Sequence, residues 1–557
     1  MLSQLYGAYK AHQLKNFVYR HDWIECEKII KVLKSIDYLD APNNEKNTLL
    51  MFICNCMRAC DEREEIALKL LETKISKPNH LNEKRKTTAL IMACENKMEK
   101  VALKIIRTEK SNPNYVDSKG NTALIIACQN KMEYTALDLI QTGNSNPGHV
   151  DSKGNTALII ACQNKMEHTA LEIIRTGKSN PGCVGSNMKT ALIIACENKM
   201  EEAALEIIRT SDSNLNYLTP SGNSALIYAC ENGMEYTALE IIRTGYSNLN
   251  QVNDKYYTAL IYACENGMEK TALEIIRMEK SIPSCAYSYY GNTALIYACK
   301  NKMEYTALEI IRTGNSYPNC VRRLDGDTAL IAACKNKMEY TALEIIRTRK
   351  SNPSHVNECG HTALIIACKN KMEYTALEII RTRNSNPAHV NSYGNTALIY
   401  ACANKMEEIA LEIIRTENSN PGHVNYEGNT ALIYACENKM EKVALEILDI
   451  VESNFNHENK KKITALTYAY KNNLINVIKV FEILKKGGYD LYYMNKNNIA
   501  NTVNEYSEAS APYLDISEDI LMTKQESNDE IPIAFAVATI LNPKSNSETF
   551  MDDIRYG

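Results

Sequence analysis

The sequence predicts an all-α repeat solenoid, on three observations. A seven-residue phrase, Thr122-Ala123-Leu124-Ile125-Ile126-Ala127-Cys128, restarts at Thr88, Thr156, Thr190, Ser224, Thr258, Thr293, Thr328, Thr362, Thr396, Thr430 and Thr464, with a looser copy at Thr48. The step is 34 residues, apart from a first step of 40 and two of 35 near Thr293 and Thr328. A fixed period of this size marks stacked repeats. Inside each unit, apolar residues recur at helical spacing and turn residues fill the remainder.

Residues 1–47 read as a degenerate N-terminal helical cap. Trp23, Ile24, Ile29, Ile30, Val32 and Leu33 make an amphipathic helix, and Ala41-Pro42-Asn43-Asn44 supplies a turn. Terminal repeats are atypical because one face lacks a neighbour. Residues 48–497 are the repeat array, about 13 helix-turn-helix units. In the unit at Thr122, the first helix runs from Thr122 to Asn130. Thr122 caps it by accepting from a free backbone N–H. Asn130 ends it and is expected in the left-handed conformation, since Lys rather than Gly follows in most copies. The second helix runs from Met132 to about Thr142, with Met132, Ala136, Leu137, Leu139 and Ile140 on its apolar side. Gly143-Asn144-Ser145-Asn146-Pro147 and Asp151-Ser152-Lys153-Gly154-Asn155 then form a long polar loop. Leu474 to Lys486, ended by Gly487-Gly488, is a longer, more polar helix suited to cap the far end. Residues 498–557 form an acidic tail, expected to be mostly disordered because it is polar and charged.

Two short helices and a long loop ending in a turn resemble the ankyrin repeat. The family's Thr-Pro-Leu-His-x-Ala-Ala phrase is matched by Thr-Ala-Leu-Ile-x-Ala-Cys, and its Asp-x-x-Gly-x-Thr turn by Asp151-Ser152-Lys153-Gly154-Asn155-Thr156. Ala replaces the usual Pro and Ile the usual His, so the family's Thr–His hydrogen bond is absent. The resemblance implies a protein-binding scaffold in which partners meet turn tips and first-helix ends. The near-identity of the copies, with abundant Asn, Lys, Ile and Tyr, resembles the expanded ankyrin families of giant (nucleocytoplasmic large DNA) viruses. That likeness implies a viral protein binding host factors in the host cytoplasm.

The chain has 19 cysteines, and twelve recur at one first-helix position from Cys54 and Cys94 through Cys436. Packed helices lie about 8–10 Å apart, whereas a disulfide needs Cα atoms within about 7 Å. The ladder therefore reads as small buried thiols in a reducing, cytoplasmic compartment. No signal peptide and no apolar run long enough to span a membrane stands out. A second column (His149, Cys183, Cys285, Cys320, His355, His389, His423 and His457) offers zinc-ligand types. One residue per repeat does not gather four ligands around one ion, so loop packing is the better reading. Cys54, Cys56 and Cys60 lack a fourth partner. Gly177-Lys178-Ser179 looks like the end of a phosphate loop, but Glu172 stands where the required glycine should be. No catalytic constellation stands out, so the chain reads as neither an enzyme nor a cofactor carrier.

Positions that vary between copies are the candidates for recognition. The position seven after the marker Thr is Glu95, Gln129, Gln163, Glu197, Glu231, Glu265, then Lys300, Lys335, Lys369, then Ala403, Glu437, Lys471. Its sign changes in blocks. Residues 190–292 carry a net charge of −6 and residues 293–395 a net of +5. The candidate partner-binding residues are Lys300, Lys335, Lys369, Arg322 and Arg323, with Tyr305, Tyr340 and Tyr374 in register. They suit an acidic surface on another protein. A net charge of −4 for the chain argues against strong nucleic-acid binding. No small-molecule substrate is expected, and the chain is expected to be a monomer. The tail carries a net −8 over residues 499–557 and holds an apolar segment, 531–541. An alternative reading is a substrate adaptor whose tail recruits a ubiquitin ligase or other machinery.

Overall fold

The computed structural model describes residues 2–486, apart from 21, 36–46, 56–60, 74–75, 109–111, 279–290, 315, 417 and 451–452. The acidic tail with segment 531–541, the Ala41-Pro42-Asn43-Asn44 turn, Cys56, Cys60, Cys285 and Gly487-Gly488 lie outside the described residues.

Among the described residues the fold is a solenoid of 28 helices without a strand. First helices stack on first helices of neighbouring units, and second helices on second helices. In the unit at Thr122 these are Ala123–Gln129 and Glu133–Gln141. The N-terminal cap holds two helices where the sequence suggests one, Leu2–Arg20 and Trp23–Ser35. Leu14 and Val18 bury the first and Cys26, Ile29, Ile30 and Leu33 the second, while Ile24 faces solvent. The far end closes on Ile475–Lys486.

The first helix begins as expected. Thr122 is extended, and its Oγ1 accepts from the Ile125 N–H at 3.3 Å. Its end departs from expectation. Asn130 is not left-handed; it lies at φ −92°, ψ 2°, and Lys131 takes φ +58°. The Asn130 amide explains the exchange. Its Nδ2 donates to the carbonyl of Cys94 in the preceding unit at 2.8 Å. That carbonyl lies in the last turn of its helix, where the N–H of Lys97 also donates to it at 3.2 Å. The left-handed position therefore falls on the next residue, Lys in most units and Gly233 or Gly267 in two. The Met132 N–H then donates to the Ala127 carbonyl at 2.9 Å and closes the helix.

The second helix starts at Met132, which offers no side-chain cap. The cap comes from the unit before. Glu99 Oε1 accepts from the Thr135 N–H at 3.3 Å, and Glu201 serves Thr237 at 3.2 Å in the same way. A carboxylate here also complements the positive end of the helix.

The cysteine column is buried throughout, from Cys54 to Cys436, and every thiol among the described residues is free. Burial pushes the thiols up, to about 12 at Cys162. The long loops are tied from unit to unit. His149 Nε2 donates to the Gly120 carbonyl at 2.8 Å, and His355, His389 and His423 repeat the bond at 2.8–2.9 Å. Gln251 keeps it at 3.1 Å. These four imidazoles are occupied as packing links, as the loop-packing reading expects, whereas the buried Nε2 of His457 has no hydrogen-bond partner among the described residues.

Candidate interaction surface

Each turn is built to present its tip. Asp151 Oδ1 accepts from the N–H groups of Lys153 and Asn155, both at 2.8 Å, and Gly154 sits at φ +88°. Only glycine takes that conformation without cost. Successive turns also bond each other, the Ser152 N–H donating to the Lys119 carbonyl at 3.2 Å. The tips and first-helix ends are therefore fixed in register, and position seven stands beside them.

The candidate basic residues do not form one uniform strip. Lys300 is half-buried and pairs with Asp325 at 3.2 Å, and Arg322 pairs with the same carboxylate at 2.7 Å. Burial alone would raise the Asp325 carboxyl. The Asp327 N–H, Lys300 and Arg322 overcome that and hold it below its usual range. Arg322 turns inward, only 9% exposed, with its guanidinium 5.7 Å from the centre of the Tyr297 ring. Lys335 donates to both oxygens of Asp327 at 2.7 Å, and Asp327 is 2% exposed.

Lys369 differs from both. No carboxylate pairs with it among the described residues; its ammonium lies 5.9 Å from the centre of the Tyr393 ring. Arg323 is exposed at the turn. Tyr305, Tyr340 and Tyr374 stand on second helices and are 73–74% exposed, in one row with Tyr134 and Tyr236.

The acidic block is engaged differently. Lys189 pairs with Glu197 at 2.7 Å. Burial, then the Glu231 carboxylate, pushes the Tyr262 phenol up, and burial, the Tyr257 hydroxyl at 3.4 Å and the Glu265 carboxylate push Tyr297 in the same direction. Position-seven carboxylates of one unit thus act electrostatically on tyrosines of the next.

Two grooves open on this surface. One, of about 460 Å³, is polar and is lined by Glu95, Gln129 and Gln163 with neighbouring turn residues. The other, of about 440 Å³, is lined by Lys369, Tyr393, Tyr400, Ala403, Tyr426, Glu427 and Tyr434. Its tyrosines and Glu427 escape a reading confined to column seven. The available signal was Ala403, the one small residue in that column. Among the described residues no group of three His, Cys, Asp or Glu side chains is placed to hold a metal ion, and no helix is long and apolar enough to cross a membrane.

A family model described as ankyrin repeats (3 copies) matches residues 56–146, 102–182, 158–247, 226–314, 330–421 and 374–453. No curated protein matches the chain. Among solved structures, the ankyrin repeat domain of Bcl-3, a member of the IkappaB family, is 18% identical. It covers 40% of this chain and 98% of its own, with a TM-score of 0.30. A chain from the complex of the predatory endopeptidase Bd0816 of Bdellovibrio bacteriovorus with immunity protein Bd3460 is 24% identical. It covers 34% of this chain and 97% of its own, with a TM-score of 0.28.

Proposed function

Because the chain belongs to the ankyrin-repeat family, we propose that it is a non-enzymatic protein-binding scaffold presenting turn tips and first-helix ends to a partner. One observation carries this reading: the recurrent side chains are consumed inside the array, whereas column seven varies between units and, among the described residues, is committed to a partner in only some of them, at Lys300, Lys335 and Glu197 but not at Lys369. Thr caps its own helix, Asn bridges to the preceding unit, Glu caps the following unit, and Cys fills the interface. Column seven is where the units are free to differ, and there the charge changes sign.

The basic block supports a partner with an acidic surface. Lys369 and Arg323 are its outward cations, while Tyr305, Tyr340 and Tyr374 form an exposed aromatic row on the second helices, outside the turn tips and first-helix ends. Lys300, Lys335 and Arg322 support it indirectly, by holding the turn at Asp325 and Asp327 in place. The composition and the likeness of the copies support a viral protein that meets host factors in the host cytoplasm. The adaptor alternative rests on the tail, outside the described residues.

Affinity purification with the full chain, with Lys369→Glu plus Arg323→Glu, and with residues 1–498 separates these readings. The scaffold reading expects the principal partner to be lost on charge reversal and kept by 1–498. A partner kept on charge reversal and lost with the tail would overturn it in favour of the adaptor.

A further inference from the structure

The groove of about 440 Å³ lies across the units that start at Thr362, Thr396 and Thr430. Position seven is Ala403 here, where the flanking units carry Lys369 and Glu437. The missing side chain leaves the space open. Its walls are aromatic: Tyr400 and Tyr434 come from first helices, Tyr393 and Tyr426 from turns.

These rings are held in place before any ligand arrives. Asn395 Nδ2 donates to the Tyr400 hydroxyl at 3.3 Å, and Asn429 Nδ2 to the Tyr434 hydroxyl at 3.0 Å. The Tyr434 hydroxyl donates to Glu427 Oε2 at 3.3 Å. Tyr426 lies against Gly394, at φ +76°, where an added β-carbon would stand 2.8 Å from the ring. Two opposite charges line the groove, Lys369 and Glu427, and neither has an ion-pair partner among the described residues.

Resting on the reading of this face as a recognition surface, we infer that the groove receives an arginine side chain of the protein partner, with an acidic residue of that partner on Lys369. Aromatic faces attract a cation. A planar guanidinium stacks on them and presents forked N–H groups to a carboxylate such as Glu427, whereas an ammonium is a compact point charge. An apolar aromatic side chain would fill the same space but would strip water from Glu427 and return no hydrogen bond.

The test uses the full chain with carbon-13-labelled alanine methyl groups. The probe is an acetylated, amidated peptide Gly-Asp-Gly-Arg-Gly-Asp. Matched peptides carry lysine, citrulline or phenylalanine in place of arginine. The arginine peptide is expected to shift the Ala403 methyl resonance and to saturate. The matched peptides are expected to bind at least about fivefold more weakly, a difference in keeping with the loss of one stacked charge. Glu427→Gln is expected to weaken the arginine peptide about tenfold. Ala403→Glu, which installs the residue found at Glu437, is expected to abolish its binding. An unmoved methyl, equal binding of the phenylalanine peptide, or unaltered binding to Glu427→Gln overturns the inference. A partner captured equally by the unaltered chain and by Ala403→Glu also overturns it, while leaving the scaffold reading intact. Peptide binding by a chain that captures no partner would count against the scaffold reading alone.

Discussion

The side-chain amide of Asn301 donates to the main-chain carbonyl of Cys264 at 2.7 Å, across the boundary between two units. It also donates to the Glu265 carbonyl at 2.8 Å. Equivalent bonds run from Asn130 to Cys94 at one end and from Asn472 to Cys436 at the other. One side chain thus serves two helix-terminal carbonyls, that of Glu265 and that of Cys264, which also takes the Gly267 N–H at 3.3 Å.

Asn301→Ala should therefore destabilise the array by about 0.5–1.5 kcal/mol, because it removes hydrogen bonds between units, although the Cys264 carbonyl keeps the Gly267 N–H. The neighbouring change should act the other way. Lys302 sits at φ +57°, where an L-residue carries a cost of about 1–2 kcal/mol that glycine escapes. Lys302→Gly should be neutral to stabilising by up to about 1 kcal/mol once glycine's larger unfolded-state entropy is counted. Urea midpoints of the two variants, read beside native-state hydrogen exchange around Glu265, check both signs.

Thr306 offers a stabilising substitution. It is fully buried, and its hydroxyl has no hydrogen-bond partner. Val101 and Val443 occupy the same position in other units. Thr306→Val keeps the shape and removes the orphaned hydroxyl, so it should raise stability by about 1 kcal/mol. A lower urea midpoint for the variant would show that the hydroxyl is satisfied in solution.

The period and its turn residues made the array legible in the sequence, because helices, loop and buried column all recur with it. The register of the side-chain bonds was not legible. Asn130 and Lys131 are adjacent, and which one turns left-handed is decided by a carbonyl in the preceding unit, at Cys94. The candidate surface was harder still. Lys300 and Lys335 look alike in column seven, yet each is claimed by an aspartate in the turn of the unit at Thr328, Asp325 or Asp327. Lys369 lacks such a partner because Tyr393 stands where Asp325 serves Lys300, and His361 where Asp327 serves Lys335. Charge counted along the chain records all three lysines as equal.

Alkaline pH should unfold the array through its thiols. Burial, then the Glu167 carboxylate, raises Cys162 from 9.0 to about 12, and Cys54, Cys334 and Cys436 reach about 12 as well. Between those limits the folded chain holds protons that the unfolded chain releases. The stability is fully present below pH 9 and is lost as pH rises through about 12. Urea midpoints should fall steadily over that window, and Cys162→Ala should fall less steeply than the unaltered chain. Parallel curves for the two would show that Cys162 does not contribute.

Lys335 and Lys369 should separate when each is reversed to Glu. Asp327 is 2% exposed and takes Lys335 on both oxygens, with Asn357 as a further donor at 2.8 Å. Lys335→Glu strips the cation from a buried carboxylate and adds a second negative charge beside it. It should cost about 1–3 kcal/mol of stability, and weaker partner binding would follow from a disturbed turn. Lys369→Glu breaks no ion pair and gives up only a contact with the Tyr393 ring, worth about 0.5–1 kcal/mol at an exposed site. Its effect should fall on binding. An acidic partner should dissociate faster, and the loss should shrink as salt rises, since the Debye length is about 8 Å at physiological ionic strength. Urea midpoints measured beside partner dissociation rates at two salt concentrations resolve the pair. Equal stability losses for the two variants would mean that Lys369 has a structural partner, and unchanged dissociation on Lys369→Glu would remove it from the recognition surface.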